Sequence, residues 1–398
     1  MIMMMGGAKY LVCPAQACIA SWVTAVLLTS LCILFVESAD GMRRAALGTT
    51  AAVAAAAGAY STNERVVEQR AAQLEGLRAS SAACCAGYPR TACGDTEALT
   101  SFDRPIVVEG LIDSWPALAH WSFAALRERI GQAEVDCGSS TGGVPFYLVA
   151  ANAARPAGRV DLALYVFDDD FSDEGGKAGL LADGPGEGLP ALTAGDVFAE
   201  GEAAEHTDRP VWRWLLAGPE GSGTIMHRDP WGYSSWNASL VGCKRWVLFP
   251  PSVARETLHP PRTDLLGRAV ALLGLSLPRG AACFMEEVLP GLRGRDLGEV
   301  EIVQHPGEVV AFPAGWWHAV VNLDATLAVT ESYGRARDLP LLLRELRTGG
   351  LAAFAAVVER EAAATRAPTM AAVAGRECTR ARVSDRGAVS ASTAVGGR

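Results

Sequence analysis

The chain has 398 residues, a formal net charge of −9, and hydrophobic residues at half of its positions, enough for one large domain or two ordinary ones with a sizeable core. The acidic balance excludes a nucleic-acid-binding surface spread over the whole chain, which needs a basic face. Ten cysteines are present, but no C-x-x-C pair, so zinc-finger and thioredoxin-like sites are excluded as well.

In chain order, residues 11–36 carry no charge and are dense in Leu, Val and Ile, long enough to span a hydrocarbon core of ~30 Å. Residues 1–40 are therefore expected to be an apolar helix acting as a signal anchor or a signal peptide, which places the chain at a membrane or in the secretory pathway. Lys9 on one side and Arg43-Arg44 on the other leave the topology open. Residues 41–94 read as an Ala-rich stalk or linker, in which "NERVVEQRAAQLEGLRAS" places Val66, Val67, Ala71, Leu74 and Leu77 at helical intervals. The folded part is expected over 95–337. There "RPIVVEGLIDSWPALAHWSFAALRERIG" predicts a short strand, a turn and a helix over Ser122–Ile130, and "VPFYLVAA" and "VDLALYVFDDD" predict two strands. Asp168 to Asp208 is rich in Gly, Asp and Glu and reads as loop or lid with one short helix at most. From Val211 the runs "VWRWLLAGP", "SSWNASLV", "KRWVLFPP", "GEVVAFP", "HAVVNL" and "ATLAVTESYG" predict many short strands, the pattern of an antiparallel barrel or sandwich. Residues 338–366 predict two helices broken at Gly349-Gly350, and 367–398 a disordered tail.

Within that β-region, "TIMHRDPW" sets His227 and Asp229 two apart in an apolar stretch. A buried imidazole and carboxylate are costly unless something pairs with them. Strand periodicity lets both face one side, and His318, after "FPAGWW", is the third candidate. Two histidines and a carboxylate are the facial set of non-heme Fe(II) oxygenases.

"GSGTIMHRDPWGYSSWNASLVGCKRWVLFPP" together with "HPGEVVAFPAGWWHAVVNLDATLAVT" resembles the Jumonji-C family of 2-oxoglutarate- and Fe(II)-dependent oxygenases, and within it the lysyl hydroxylase and proposed arginine demethylase branch. "DRPVWRWLLAGPEGSG", "LALYVFDDDF" and "RPIVVEGLIDSW" extend the similarity over 95–337. The resemblance implies a mainly β fold, a double-stranded β-helix (jelly-roll, cupin-like) barrel with flanking helices. It implies His227, Asp229 and His318 as iron ligands and Lys244 as the partner of the distal carboxylate of 2-oxoglutarate. It adds Thr224, Thr330 and Asn237 as co-substrate contacts, with Tyr147 as a looser match. The Lys244 role suits its chemistry, since a buried ammonium needs an anionic partner; a snorkelling surface lysine is the plain alternative. Thr330 agrees in parity with Thr326 and Ala328, whereas Thr224 is an odd number of residues from His227, so alternation does not place it inward. Trp316 and Trp317 read as core and pocket wall, and Asn237-Ala238-Ser239 is formally a glycosylation sequon.

The implied reaction is hydroxylation of a protein side chain with release of succinate and carbon dioxide, lysyl hydroxylation being the first reading and N-demethylation the second. A catalytically inactive cupin-fold binding module or receptor ectodomain is the alternative. The acidic run from Asp168 to Glu174 points to a Lys/Arg-rich peptide partner, against the plainer reading of a solvated loop.

Overall fold

The computed structural model describes residues 64–85, 87–137, 143–155, 164–261 and 280–364. The expected apolar helix and the expected disordered tail lie outside them. Among the described residues, no helix is long and apolar enough to cross a membrane.

Helix α1 (Glu64–Cys85) opens the described chain. Leu74, Leu77 and Ser81 recur three and four apart and are buried, so this part of the expected stalk is seated on β-structure. Strands β1 (Arg90–Ala92) and β2 (Ile106–Glu109) follow, then helix α2 (Phe123–Ile130). Its start is set by Ser122, whose hydroxyl accepts the Ala125 N–H. Strands β3 (Glu134–Val135) and β4 (Val144–Pro145) form a small hairpin. The run "VPFYLVAA", expected as a strand, leaves β4 at Pro145 and becomes helix α3 (Phe146–Ala153). A short apolar run does not by itself distinguish a buried strand from a helix. Here proline stands at the boundary and four alanine or asparagine positions follow.

Strand β5 (Val166–Asp168) leads through short helical turns to the barrel. Its strands are β6 (Arg213–Gly218), β7 (Gly223–His227), β8 (Ser234–Val241) and β9 (Lys244–Phe249). They are completed by β10 (Val300–Gln304), β11 (Val309–Phe312), β12 (Trp317–Asn322) and β13 (Thr326–Tyr333). The larger sheet has the order β1-β2-β11-β8-β13-β6-β5 and the smaller β10-β9-β12-β7. From β6 to β13 the chain crosses between sheets at each step except β9–β10 and β10–β11 is again a crossing, which is the connectivity of a double-stranded β-helix. The fold is therefore sheet-rich and cupin-like, with flanking helices. Strand β10 is not among the runs expected from the sequence; β7, expected as the strand that ends near His227, starts at a glycine and carries an irregularity in its pairing.

Alternation sorts the side chains into three layers. Val107, Trp246, Leu248, Ile302, Val310, Phe312 and Val320 pack between the sheets. Trp236, Ala238, Leu215 and Val329 face outward from the larger sheet, under Trp115, Leu126 and Phe146. Val247, Phe249, Ala319 and Val321 face outward from the smaller sheet, against Leu74, Leu77 and Phe284.

All of this lies in one compact unit; among the described residues, 195–210 and 334–364 form a second. In that unit, helix α4 (Leu339–Thr348) ends at Gly349-Gly350 and a further helix occupies 352–364, as the glycine pair predicts. Phe198 stacks on Phe354 with ring centroids 5.7 Å apart, and the Glu361 carboxylate accepts the N–H groups of Glu202 and Ala203.

Candidate metal centre

His227 is the last residue of β7 and His318 the second of β12, and the pairing sets them directly opposite each other. Their ring centroids are 4.1 Å apart. Asp229 lies beyond the end of β7, at the entry to the turn Pro230–Gly232, so a turn rather than strand parity brings its carboxylate back. Both imidazole Nε2 atoms stand 3.5 Å from Asp229 Oδ1. Among the described residues this trio is the one group of three ligand-type side chains close enough to hold a metal ion.

The orientation of each group is enforced from behind. His227 Nδ1 donates to the Ile225 carbonyl at 2.7 Å and His318 Nδ1 to the Trp316 carbonyl at 3.2 Å. Carbonyls only accept, so both Nδ1 atoms carry the proton and both Nε2 lone pairs point at the centre. Ser235 Oγ donates to Asp229 Oδ2 at 2.5 Å, which leaves Oδ1 for a cation. Burial would raise the Asp229 pKa, but His318, His227 and Ser235 outweigh it and hold it at about 2. Burial and the neighbouring His227 push His318 down to about 4, so its lone pair is available at neutral pH. Burial alone would lower His227 too, yet the Asp229 carboxylate raises it. Two neutral-capable imidazoles and one carboxylate, with proton-bearing nitrogens tied back, fit a divalent first-row metal.

Lys244 begins β9, opposite Asn322 and Gln304, on the face that also carries Trp246 and Leu248. It is 1% exposed, which overturns the surface-lysine reading. Its Nζ donates to Asn322 Oδ1 at 2.9 Å and Thr326 Oγ1 at 3.1 Å, both neutral. Burial without an anion drops its pKa to about 7.

Thr224 stands opposite Val320 while His227 stands opposite His318, three residues against two. That extra residue in β7 puts Thr224 on the inner face despite its odd spacing. Asn237 and Thr330 are cross-strand partners on the inner face of the larger sheet. Thr224 Oγ1 and Asn237 Oδ1 are buried without a hydrogen-bond partner, whereas Thr330 Oγ1 donates to the Trp236 carbonyl at 2.6 Å. Asn237 is 2% exposed, so its sequon is closed to glycosylation in the folded chain. Tyr147 is not with them: it lies on α3, 37% exposed, because its segment is helical. Trp316 packs between the sheets and Trp317 outside the smaller one, as expected of core residues.

The sequence does not assign a role to three groups: Asn322 and Thr326, which hold Lys244, and Ser235, which orients Asp229. Asn322 is an even number of positions from His318 along β12, so alternation alone could have placed it inward.

Residues 95–335 match the cupin-like domain family. The chain belongs to this cupin-like, Jumonji-C-type family. A Caenorhabditis briggsae relative of this cupin-like chain, the bifunctional arginine demethylase and lysyl-hydroxylase psr-1, is 32% identical over 61% of the chain and 59% of its own length. The arginine-specific demethylase JMJ22 of Arabidopsis thaliana is 31% identical over 63% of the chain and 46% of its own length. The mouse 2-oxoglutarate and iron-dependent oxygenase JMJD4 is 30% identical over 32% of the chain and 28% of its own length. The cupin-like chain thus spans about half the length of the curated relatives it matches.

Proposed function

We propose that the chain is a 2-oxoglutarate- and Fe(II)-dependent oxygenase that hydroxylates a protein side chain, a lysine in the first reading, with N-demethylation as the second. The observation that carries this is the pairing of a three-ligand centre with a buried, anion-free Lys244 on the inner face of the same barrel. When bound, Fe(II) with 2-oxoglutarate and dioxygen would supply the oxidising chemistry: one oxygen atom of dioxygen enters a substrate C–H bond and the other enters the succinate formed as the co-substrate loses carbon dioxide.

The chain's own residues prepare that chemistry. His227, Asp229 and His318 offer three ligand atoms on one side of the centre and leave the remaining positions for exchangeable ligands. Lys244 supplies the cation for the distal carboxylate of the co-substrate, with Asn322 and Thr326 aiming it. Thr224 Oγ1 and Asn237, lacking full internal partners, are placed to accept or donate to the same molecule. The Thr330 proton is spent on Trp236, so its oxygen can only accept unless that bond breaks. Phe312 stands with its ring centroid 4.5 Å from that of His318, and Trp246 at 6.2 Å; this apolar wall keeps water from one side of the centre.

A basic side chain is the proposed target because two of the relatives above are named for action on arginine or lysine. The acidic run does not carry that choice. Asp168 is buried in an ion pair with Lys177 Nζ at 2.6 Å, and Asp170 stands 3.5 Å from the same Nζ, so the cation that relieves these carboxylates is internal. Residues 11–36 support a membrane or secretory placement, which alkaline carbonate extraction tests.

The test of function is succinate release from 2-oxoglutarate with Fe(II) and Lys-containing peptides, with mass spectrometry for products heavier by one oxygen. Wild type should turn over, and Asp229→Ala should lose turnover and metal together while keeping its far-ultraviolet circular dichroism. Metal and co-substrate binding with no turnover on any peptide pool would favour the inactive binding module.

A further inference from the structure

Helix α1 lies outside the residues that match the family, yet one of its side chains ties together the turns around Lys244. The Arg78 guanidinium donates to the Leu323 carbonyl from Nε at 3.1 Å and from Nη2 at 2.8 Å, and to Asp324 Oδ1 at 3.1 Å. Its Nη2 also stands 3.0 Å from Glu220 Oε1. Leu323 and Asp324 form the β12–β13 turn, which carries Asn322 on one side and Thr326 on the other, the two groups that hold Lys244 Nζ. Glu220 belongs to the β6–β7 turn, and the neighbouring Ser222 accepts the Asn322 side-chain amide at 2.8 Å. The second oxygen of Asp324 accepts the backbone N–H of Cys243, the residue before Lys244, at 3.1 Å. Leu323 N–H in turn donates to the Cys243 carbonyl at 2.8 Å.

One planar fork therefore spans two turns directly and reaches a third through Asp324. The three turns border the lysine and both of its acceptors. Arg245, next to Lys244 but facing outward, adds a second tie to the same helix through Ser80 Oγ at 2.8 Å. We propose that Arg78 is a positioning residue for co-substrate binding, through which α1 holds Lys244, Asn322 and Thr326 in the geometry that receives the distal carboxylate. The proposal rests on the assignment of Lys244 as the anchor of 2-oxoglutarate.

The test is calorimetric titration of 2-oxoglutarate into the full chain loaded with Mn(II), a redox-silent substitute, alongside turnover kinetics. Arg78→Ala should raise the dissociation constant about tenfold, the scale of losing a residue that orients a ligand-binding group. Metal affinity and turnover at saturating 2-oxoglutarate should stay as in wild type. Asp324→Asn, a milder change on a half-buried turn, should move the same constant in the same direction. Arg129→Ala removes an ion pair of comparable exposure, with Asp183, on α2 outside the larger sheet, and should leave the constant unchanged. Wild-type affinity in both Arg78→Ala and Asp324→Asn overturns the clamp, as does an equal loss in Arg129→Ala, which would mark general destabilisation. If wild type itself takes up no 2-oxoglutarate, the functional reading falls first, a result distinct from tight wild-type binding with indifferent variants.

Discussion

A lysine held at about pKa 7 by burial, with only neutral acceptors around it, makes a specific statement about pH. Below that value the free protein already carries the ammonium and an incoming carboxylate meets its partner. Above it the lysine is neutral and must take up a proton before it can pair, so apparent affinity for 2-oxoglutarate should fall about tenfold per pH unit above 7. Calorimetry between pH 6 and 8.5 should show a flat limb followed by that slope, and an affinity level across the whole range would remove Lys244 from the co-substrate site. The same shift sets the stability of the free protein. The unfolded lysine titrates near 10.5 and the folded one near 7, so the unfolded chain binds more protons between those values and stability rises with pH across that window. Lys244→Met should accordingly stabilise the free protein by on the order of 1 to 4 kcal/mol below about pH 7, an advantage that shrinks toward pH 10.5. That much of the centre was legible because histidine, carboxylate and lysine in apolar surroundings announce themselves by their cost. Alternation could place Asn322 and Thr326 inward, but their roles and that of Ser235 were not legible, because a neutral polar residue carries no such signal until its partner is seen.

Strand β7 shows why local pattern alone misplaces part of the site. Its pairing with β12 takes up one extra residue between Thr224 and His227, which inverts the parity that simple alternation predicts. The strand is admitted against β12 by Gly223, which has φ +153°, and a Cβ there would stand 1.9 Å from the Val320 carbonyl oxygen. Backbone cannot yield to such a contact without moving the strand. Gly223→Ala should cost about 3 kcal/mol, the upper end for overpacking, and should loosen Thr224 and His227 together. Chemical denaturation and Mn(II) titration would check it; wild-type stability with wild-type metal affinity would mean that β7 tolerates a shift without disturbing the centre. The α3 segment teaches the complementary lesson. Its apolar run satisfied a strand pattern, and Tyr147 was carried with it, but the proline at the β4 boundary and the small residues behind it favour a helix whose exposed face bears the tyrosine.

Across the whole chain, the sequence made the barrel readable from its spaced short strands, while the role of the flanking segments depended on long-range contacts that no local pattern reports. The acidic run looked like a docking site, but Lys177, nine residues from Asp168, already pairs with two of its carboxylates, Asp168 and Asp170. Helix α1 looked like a stalk, yet Leu74 and Leu77 complete the outer layer of the smaller sheet. If residues 11–36 anchor the chain, the anchor precedes helix α1, the first described element. Anchoring and catalysis would then be separable at residue 64 but not at residue 95, because a cut at 95 removes Arg78 and uncovers the apolar surface under α1. The full chain should resist alkaline carbonate extraction. A fragment of residues 64–364 should be released and bind 2-oxoglutarate as the full chain does, and one of residues 95–364 should melt earlier and bind it more weakly. Release of the full chain with residues 1–40 still attached would exclude the anchor, and equal melting and binding in the two fragments would return α1 to the role of a stalk.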